Sequence, residues 1–308
     1  MYLVDKCPCC GSSETHHRHA ITAPFLARYA IQKPPVRCRL LECQRCSFRF
    51  FDARLTPEEV DRLYSGYRGE GYFAARHREE PWYSRAVNDG IGQDPAEIVA
   101  RNRALETFLG EHVDATRIDK VLDYGGDRGQ FIPAALGRQK YVFELSDAVP
   151  VDGVSRLAKE SDIEPAAFDL VMLCGVLEHC SEPAEILHTL RKFGAPGSLL
   201  YVGVPYERYN IRFAGTGAMY ARYLDALLAV PPLLKLVDFY SAAARIRWEF
   251  IPPFGLVKCH EHLNFFSSQS VTALLKRTGF DVLACEVKAI VSYPAKVESL
   301  CVIARMTG

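Results

Sequence analysis

The sequence predicts a doubly wound α/β sheet with a small cysteine-rich module ahead of it and a helical insertion late in the chain. Three observations carry this. The runs Val121–Gly129 (VLDYGGDRG), Tyr141–Ser146 (YVFELS) and Phe168–His179 (FDLVMLCGVLEH) are apolar β-type segments that end in small or acidic residues. From Lys120 onward, strand-like and helix-like segments alternate, which is the pattern of a parallel sheet. Cys7-Pro8-Cys9-Cys10 and Cys43-Gln44-Arg45-Cys46 stand well before these runs, as two knuckles.

The chain has 308 residues, enough for a large core and an appended module. Apolar residues make up 49% and charged residues 24%, within the globular range. The formal net charge is zero, which argues against a polyelectrolyte binder. Residues 1–54 differ, with nine Lys/Arg against four acids, a local excess of 9 − 4 = +5. The 11 cysteines follow no signal-peptide pattern, so a reducing, cytoplasmic setting is expected. Clustered cysteines there serve as metal ligands more often than as disulfides. The longest apolar stretch, Tyr223 to Ile246, is broken by Asp225, Lys235, Asp238 and Pro231-Pro232. It fails as a membrane span, which needs roughly 20 predominantly apolar residues.

In chain order, residues 1–54 read as short hairpins around a metal, and 55–116 as a helical or lid segment. Thr56 caps a helix with Pro57 in its first turn. Residues 66–92 read as a loop or short helices, with Tyr67, Tyr72, Phe73, Trp82 and Tyr83 available to cover a ligand. Pro95 to about Glu111 is a helix with Ile98, Leu105, Phe108 and Leu109 on one side. The sheet domain, 117–308, starts with a strand at Lys120–Tyr124 and a helix through Phe131 and Ile132. Strands follow at Tyr141–Leu145, within 151–166, at Phe168–Leu173 and at Ser198–Val204, with a helix from Pro183 to Phe193 before the last. A helix over Ser268–Thr278, capped by Ser267 or Ser268, precedes strands Phe280–Val287 and Leu300–Arg305, which lack a helix between them and so read as a reversed hairpin. The apolar, helical insertion 206–259 follows a strand's carboxyl end, where such sheets bind ligands. It reads as a substrate cap or a homodimer interface.

Together these segments resemble the class I S-adenosylmethionine-dependent methyltransferases, whose Rossmann-like sheet closes with such a hairpin. In that family an acid precedes Gly-x-Gly-x-Gly; here Asp123, Tyr124, Gly125, Gly126, Asp127, Arg128 and Gly129 occupy the motif, with Asp127 at the middle glycine. A left-handed position there tolerates Asp better than most side chains. The resemblance implies that this turn and Phe131 bind S-adenosylmethionine, that Glu144 and Leu145 hold the ribose, and that Cys174, Gly175, Val176 and Glu178 line the methionine half. Asp162 and Ile163 would border the adenine. A Gly-x-Gly-x-x-Gly fingerprint cannot be laid on the segment, which counts against a nicotinamide enzyme.

The segment Cys259–Ser267 (CHEHLNFFS) resembles the His-Glu-His stretch of deoxysugar C-methyltransferases, as do the amino-terminal cysteines. The resemblance makes His262 a general base and Glu261 its neighbour, with His260 and His179 as further candidates. A packing role for these histidines is the plainer alternative. The chain ends soon after the sheet closes, whereas those enzymes resemble longer chains, which leaves the acceptor open.

Cys7, Cys10, Cys43 and Cys46 form two Cys-x-x-Cys pairs suited to tetrahedral, structural zinc, with Cys9, His16, His17, His19 or Cys38 as possible substitutes. Four thiolates and one zinc carry −4 + 2 = −2, lowering the local excess to about +3. The expected activity is methyl transfer to a small metabolite, an activated nucleotide-linked sugar or a related polysaccharide or natural-product precursor. Two alternatives remain: an rRNA or tRNA methyltransferase docking through the basic module, and a non-catalytic protein of this fold.

Overall fold

A computed structural model describes residues 1–207, 210–292 and 295–308. The chain forms two compact units. One comprises Met1–Cys7, Gly11–Asp89 and Glu207–Phe265; the other comprises Pro8–Cys10, Gly90–Tyr206 and Phe266–Gly308.

The first unit begins with β1 (Tyr2–Leu3), β2 (Thr15–Thr22), β3 (Arg37–Cys43), β4 (Arg49–Phe51) and β5 (Ala53–Arg54). A short helix α1 (Pro24–Leu26) running into a π-turn separates β2 from β3, and α2 (Pro57–Tyr64), α3 (Glu70–Glu79) and α4 (Arg85–Gly90) follow. At the start of α2, Thr56 accepts from the Glu59 amide and the Glu59 carboxylate answers the Thr56 amide, the reciprocal cap its sequence specifies.

The second unit supplies α5 (Pro95–His112), β6 (Lys120–Tyr124), β7 (Gln139–Phe143), β8 (Val154–Leu157), β9 (Phe168–Cys174), α6 (Pro183–Leu190) and β10 (Gly194–Pro205). The chain returns to the first unit for α7 (Ala218–Ala229), α8 (Pro231–Trp248), β11 (Lys258–Cys259) and β12 (Asn264–Phe265), and the second unit closes with α9 (Ser268–Arg277), β13 (Phe280–Ser292) and β14 (Ala295–Met306).

The second unit holds a seven-stranded sheet in the order β13-β14-β10-β9-β6-β7-β8. Strands β8 to β10 in this order pair in parallel, whereas β14 runs antiparallel to both β10 and β13. The expected closing hairpin is therefore present, and its register extends to Ser292 opposite Ala295. Side chains alternate across the strands. Val121, Leu170, Met172 and Ile303 form one buried layer with Leu105, Phe108 and Leu109 of α5. The strand order turns between β9 and β6, where Leu122 of β6 pairs with Val171 of β9. Ligands bind at such switch points, beyond the carboxyl ends of the strands.

One expected element is absent. Residues 125–138 contain no helix through Phe131 and Ile132; the segment is a succession of turns. Gly125, Gly126, Gly129, Pro133 and Gly137 crowd it with residues that weaken or end helices. Gly129 and Gly137 adopt φ of 70° and 68°. The Lys140 ammonium donates to the Pro133 and Ala134 carbonyls at 2.9 and 2.8 Å, so those acceptors are satisfied without a helix.

The first unit contains a five-stranded sheet, β11-β2-β3-β4-β12. Its core collects Phe25, Leu40, Phe51, Leu63 and Tyr72. Among the described residues no single helix is long and apolar enough to cross a membrane; α7 and α8 pass that test only as a pair bent by 117°.

Candidate functional site

In the second unit, Asp123 is the penultimate residue of β6 and is wholly buried. Both of its carboxyl oxygens lack a hydrogen-bond partner among the described residues. Burial, with the charges of Glu144 and Asp127 added, raises its pKa from 3.8 to about 7. The glycines after it have specific steric reasons. A Cβ on Gly126 would stand 2.3 Å from Asp123 Oδ2, and one on Gly125 (φ +72°) 2.7 Å from a Val176 methyl group. A Cβ on Gly129 would meet Val154 at 2.8 Å. The turn is thus folded tightly onto its own strand tips.

Asp127 takes φ 53°, the left-handed conformation that the missing glycine would have had. Its amide donates to Glu144 Oε2 at 3.1 Å, and Glu144 Oε1 accepts from the Ser146 amide at 2.9 Å. The Asp127 carboxylate accepts from Gln93 and Gln130, each at 3.1 Å. Arg128 donates to Gln93 Oε1 at 3.0 Å, and Gln130 also reaches the Gly92 carbonyl. Sequence reading missed Gln93 and Gln130 as partners of Asp127. Gln130 directly follows the motif and was legible in principle; nothing local marks Gln93.

The remaining cofactor candidates lie close by in sequence and differ in exposure. Tyr124 is buried against Phe143 and Phe193 and donates to Glu160 at 2.6 Å; burial, then Glu160, raises its pKa. Phe131 faces the Arg101 guanidinium at 5.3 Å. Leu145 is largely exposed. Cys174 ends β9, where burial and then Asp123 raise its thiol well above the usual range. Gly175 follows with φ 69°, and Leu177–His179 form one 3₁₀ turn in which Glu178 is buried and His179 half-buried.

In the first unit, the His260–His262 segment bridges β11 and β12, and its three side chains take different partners. Glu261 is buried; Tyr72 donates its phenol to it and Arg76 reaches it at 3.1 Å. Tyr72, Arg76 and Glu80 recur at i, i+4 and i+8 from α3 into its cap, so one face carries all three. Arg76 also holds Glu80 at 3.2 Å and lies 3.9 Å from the Tyr83 ring centroid. His260 stacks on Phe25 with Nε2 3.2 Å from Glu80, and Lys258 bridges Glu80 and Asp238 at 2.9 and 2.8 Å. Burial alone would raise the Glu80 pKa, but the charges of His260, Lys258 and Arg76 hold it far below the carboxylate range. Burial raises Tyr72 strongly, and Tyr67 to about 12, with Glu261 the next cause in both.

His262 is half-buried, and its Nδ1 is hydrogen-bonded to the Glu207 carboxylate. The carboxylate on this imidazole therefore comes from Glu207, fifty-five positions away, while the adjacent Glu261 anchors Tyr72 and Arg76. Nothing near His262 in the sequence marks Glu207.

The sulfurs of Cys7, Cys10, Cys43 and Cys46 lie within 4.8 Å of one another, and Cys7 Sγ is 3.6 Å from Cys46 Sγ. Four thiols at this spacing form a donor set of the kind zinc takes in closed sites. Of the possible substitutes, Cys38 is partnered instead with Cys259, and His17 and His19 meet edge to face along β2.

Among solved structures, the chain is similar to a Burkholderia thailandensis 1,6-didemethyltoxoflavin-N1-methyltransferase with 1,6-didemethyltoxoflavin and S-adenosylhomocysteine bound, at 16% identity and a TM-score of 0.46, covering 86% of this chain and 97% of that one. It is also similar to a Thermotoga maritima S-adenosylmethionine-dependent methyltransferase described as a possible histamine N-methyltransferase, at 14% identity, TM-score 0.41, covering 73% and 98%. A third, the N-methyltransferase NodS of Bradyrhizobium japonicum, is 15% identical with a TM-score of 0.39, covering 70% and 99%. No curated protein matches the sequence. The methyltransferase domain family matches residues 76–284, more than half of the sequence. With the seven-stranded sheet and its reversed closing hairpin, that match means that this chain belongs to the methyltransferase domain family.

Proposed function

We propose that this protein transfers the methyl group of S-adenosylmethionine to a small metabolite, an activated nucleotide-linked sugar or a related polysaccharide or natural-product precursor. The observation that carries the cofactor is Asp123. A buried carboxyl with both oxygens unanswered, beside the carboxylates of Glu144 and Asp127, suits a ligand that brings positive charge and donors. S-adenosylmethionine brings a sulfonium, an ammonium and ribose hydroxyls. Glu144 already accepts two backbone amides and, as a carboxylate, retains acceptor sites for hydroxyl donors.

When bound, the cofactor supplies an electrophilic methyl group on a good leaving group. This chain's residues then need to bind, align and deprotonate. An oxygen or carbon acceptor must shed a proton as its bond to the methyl carbon forms. His262 is assigned that proton: with Nδ1–H donating to Glu207, its Nε2 lone pair is the acceptor. The tautomer follows from the hydrogen bond to an ionised carboxylate. Glu261, His260 and Glu80 are assigned to hold the segment in place through Tyr72, Arg76 and Lys258. The four-cysteine group is assigned a structural zinc, since four thiolates leave no open position for chemistry.

Titration calorimetry with S-adenosylmethionine and S-adenosylhomocysteine tests the reading, with heat and a raised melting temperature expected for both. Absence of both signals removes the cofactor and with it the activity. Incubation with nucleotide-linked sugars, followed by mass spectrometry for an added methyl group, tests the acceptor separately.

A further inference from the structure

Helix α8 buries one side, through Leu234, Asp238, Ser241, Ala242 and Ala244. On its opposite side Pro232, Leu236, Phe239, Ala243 and Ile246 recur at alternating steps of four and three, forming an apolar seam along the helix. The seam is open to solvent: Leu236 is 65% exposed, Phe239 57% and Ile246 70%. Leu233 and Tyr240 widen it, and Trp248 ends the helix at 63% exposure. Isolated exposed apolar side chains are ordinary, but a continuous line of them signals a partner.

Charge says which partner. Lys235 and Arg247 are exposed on the outer side of α8 and give it a charge of +2, while Arg245 falls on the side that carries Asp238 and Ser241. The helix's one carboxylate, Asp238, is buried against Lys258 and does not offset them. Lys235 rests on the Arg78 carbonyl at 2.7 Å, a contact that leaves its charge uncompensated. On a helical projection Lys235 and Arg247 flank the seam on either side. Two copies packed seam to seam would bring these cations together with no exposed carboxylate from α8 to answer them. A helix with an apolar face, basic flanks and aromatic residues at its end fits the boundary between acyl chains and anionic headgroups. The 117° bend between α7 and α8 prevents the pair from crossing as one rod and suits a helix lying in the plane.

We propose that α8 is a monotopic docking surface for a bilayer bearing anionic phospholipid headgroups. The seam enters the acyl boundary, and Lys235 and Arg247 meet the phosphates.

The test is co-sedimentation of the full chain with vesicles of phosphatidylcholine alone and of phosphatidylcholine mixed with phosphatidylglycerol. The wild type should pellet with the mixed vesicles at low salt, be released by salt, and remain in the supernatant with the neutral ones. Leu236→Asp with Ile246→Asp should abolish pelleting. Lys235→Glu with Arg247→Glu should weaken it by about thirty-fold or more. All four side chains are exposed, so melting temperature and S-adenosylhomocysteine binding should match the wild type in both variants. Wild-type protein that stays in the supernatant with mixed vesicles overturns the proposal, as do aspartate variants that pellet undiminished. So does a wild-type dimer in light scattering that Leu236→Asp with Ile246→Asp converts to monomer, since that gives the seam to a second copy.

Discussion

Replacing Asp123 by Asn separates the two demands the structure places on this position. The carboxyl is buried, has no hydrogen-bonded partner among the described residues, and has its pKa raised from 3.8 to about 7. The raised value sets the sign. Below about pH 4 both folded and unfolded chains hold the proton, and ionisation costs folding nothing. Between pH 4 and 7 the unfolded chain ionises first, so stability falls as pH rises; above pH 7 the loss is complete. A shift of about three units at about 1.4 kcal/mol each makes the full loss about 4 kcal/mol. Asparagine has nearly the same shape, so it keeps the close contact with Gly126, and it buries a polar group as protonated Asp does. The ionisation cost is then what differs. Urea unfolding should show Asp123→Asn more stable than wild type by about 2–4 kcal/mol at pH 8, with the gain shrinking to nothing by pH 4. The same variant should bind S-adenosylmethionine about 10- to 100-fold more weakly at pH 8, the loss of a charged hydrogen bond worth about 1.5–3 kcal/mol. A variant no more stable than wild type at pH 8, or a gain independent of pH, refutes the assigned cost. Unchanged affinity removes Asp123 from the cofactor site while leaving the stability argument intact.

Other perturbations follow from the same contacts. Gly126→Ala places a methyl group 2.3 Å from the Asp123 carboxylate and should both destabilise the fold and abolish calorimetric binding of S-adenosylhomocysteine. Glu261→Ala leaves Arg76 with its nearest buried counter-charge removed and should cost about 3–5 kcal/mol of stability, measured by urea unfolding. His262→Ala should lower turnover roughly 10²–10⁴-fold with cofactor affinity unchanged, and undiminished turnover would end its proposed assignment as base. Purified protein should carry one zinc per four-cysteine group by plasma mass spectrometry, lost in Cys46→Ser and retained in Cys38→Ser.

The sheet was legible because its strands are buried. Val121–Tyr124 and Phe168–Cys174 are nearly continuous apolar runs, and strands covered on both faces have that composition. The Thr56 cap was legible because its signal is local: a hydroxyl, a proline and an acid at fixed offsets. The helix expected at Phe131 failed for a reason also written in the sequence. Two apolar residues in a βα position suggested it, but four glycines and a proline between Tyr124 and Gln139 outweigh them. Local composition deserved more weight there than the expected alternation of strand and helix.

The candidate site was legible where backbone conformation decides it and illegible where charges meet across sequence distance. Asp127 illustrates the first case. A turn needing a left-handed residue accepts Asp at modest cost, and the sequence places that residue between glycines, so its φ of 53° follows from position. Its carboxylate then has to be answered, and the groups that answer it, Gln93 and Gln130, come from either side of α5. The His-Glu-His segment illustrates the second case. Sequence adjacency paired His262 with Glu261, yet the chain bends at Glu261 and the two side chains take different partners. Glu261 turns to Tyr72 and Arg76, some 185 positions earlier, and His262 turns to Glu207 at the start of the insertion. An imidazole two residues from another imidazole and next to a carboxylate looks like one cluster in the sequence. In the folded chain it becomes separate ion-paired sets: a buried one around Arg76 and Glu80, and a half-buried one at His262. Burial sorts them: the enclosed Glu261 carboxylate is paired with the Arg76 guanidinium, whereas the His262 imidazole is half-buried and rests on a carboxylate. That difference, rather than the motif, is the physical reason to assign proton transfer to His262 and support to Glu261.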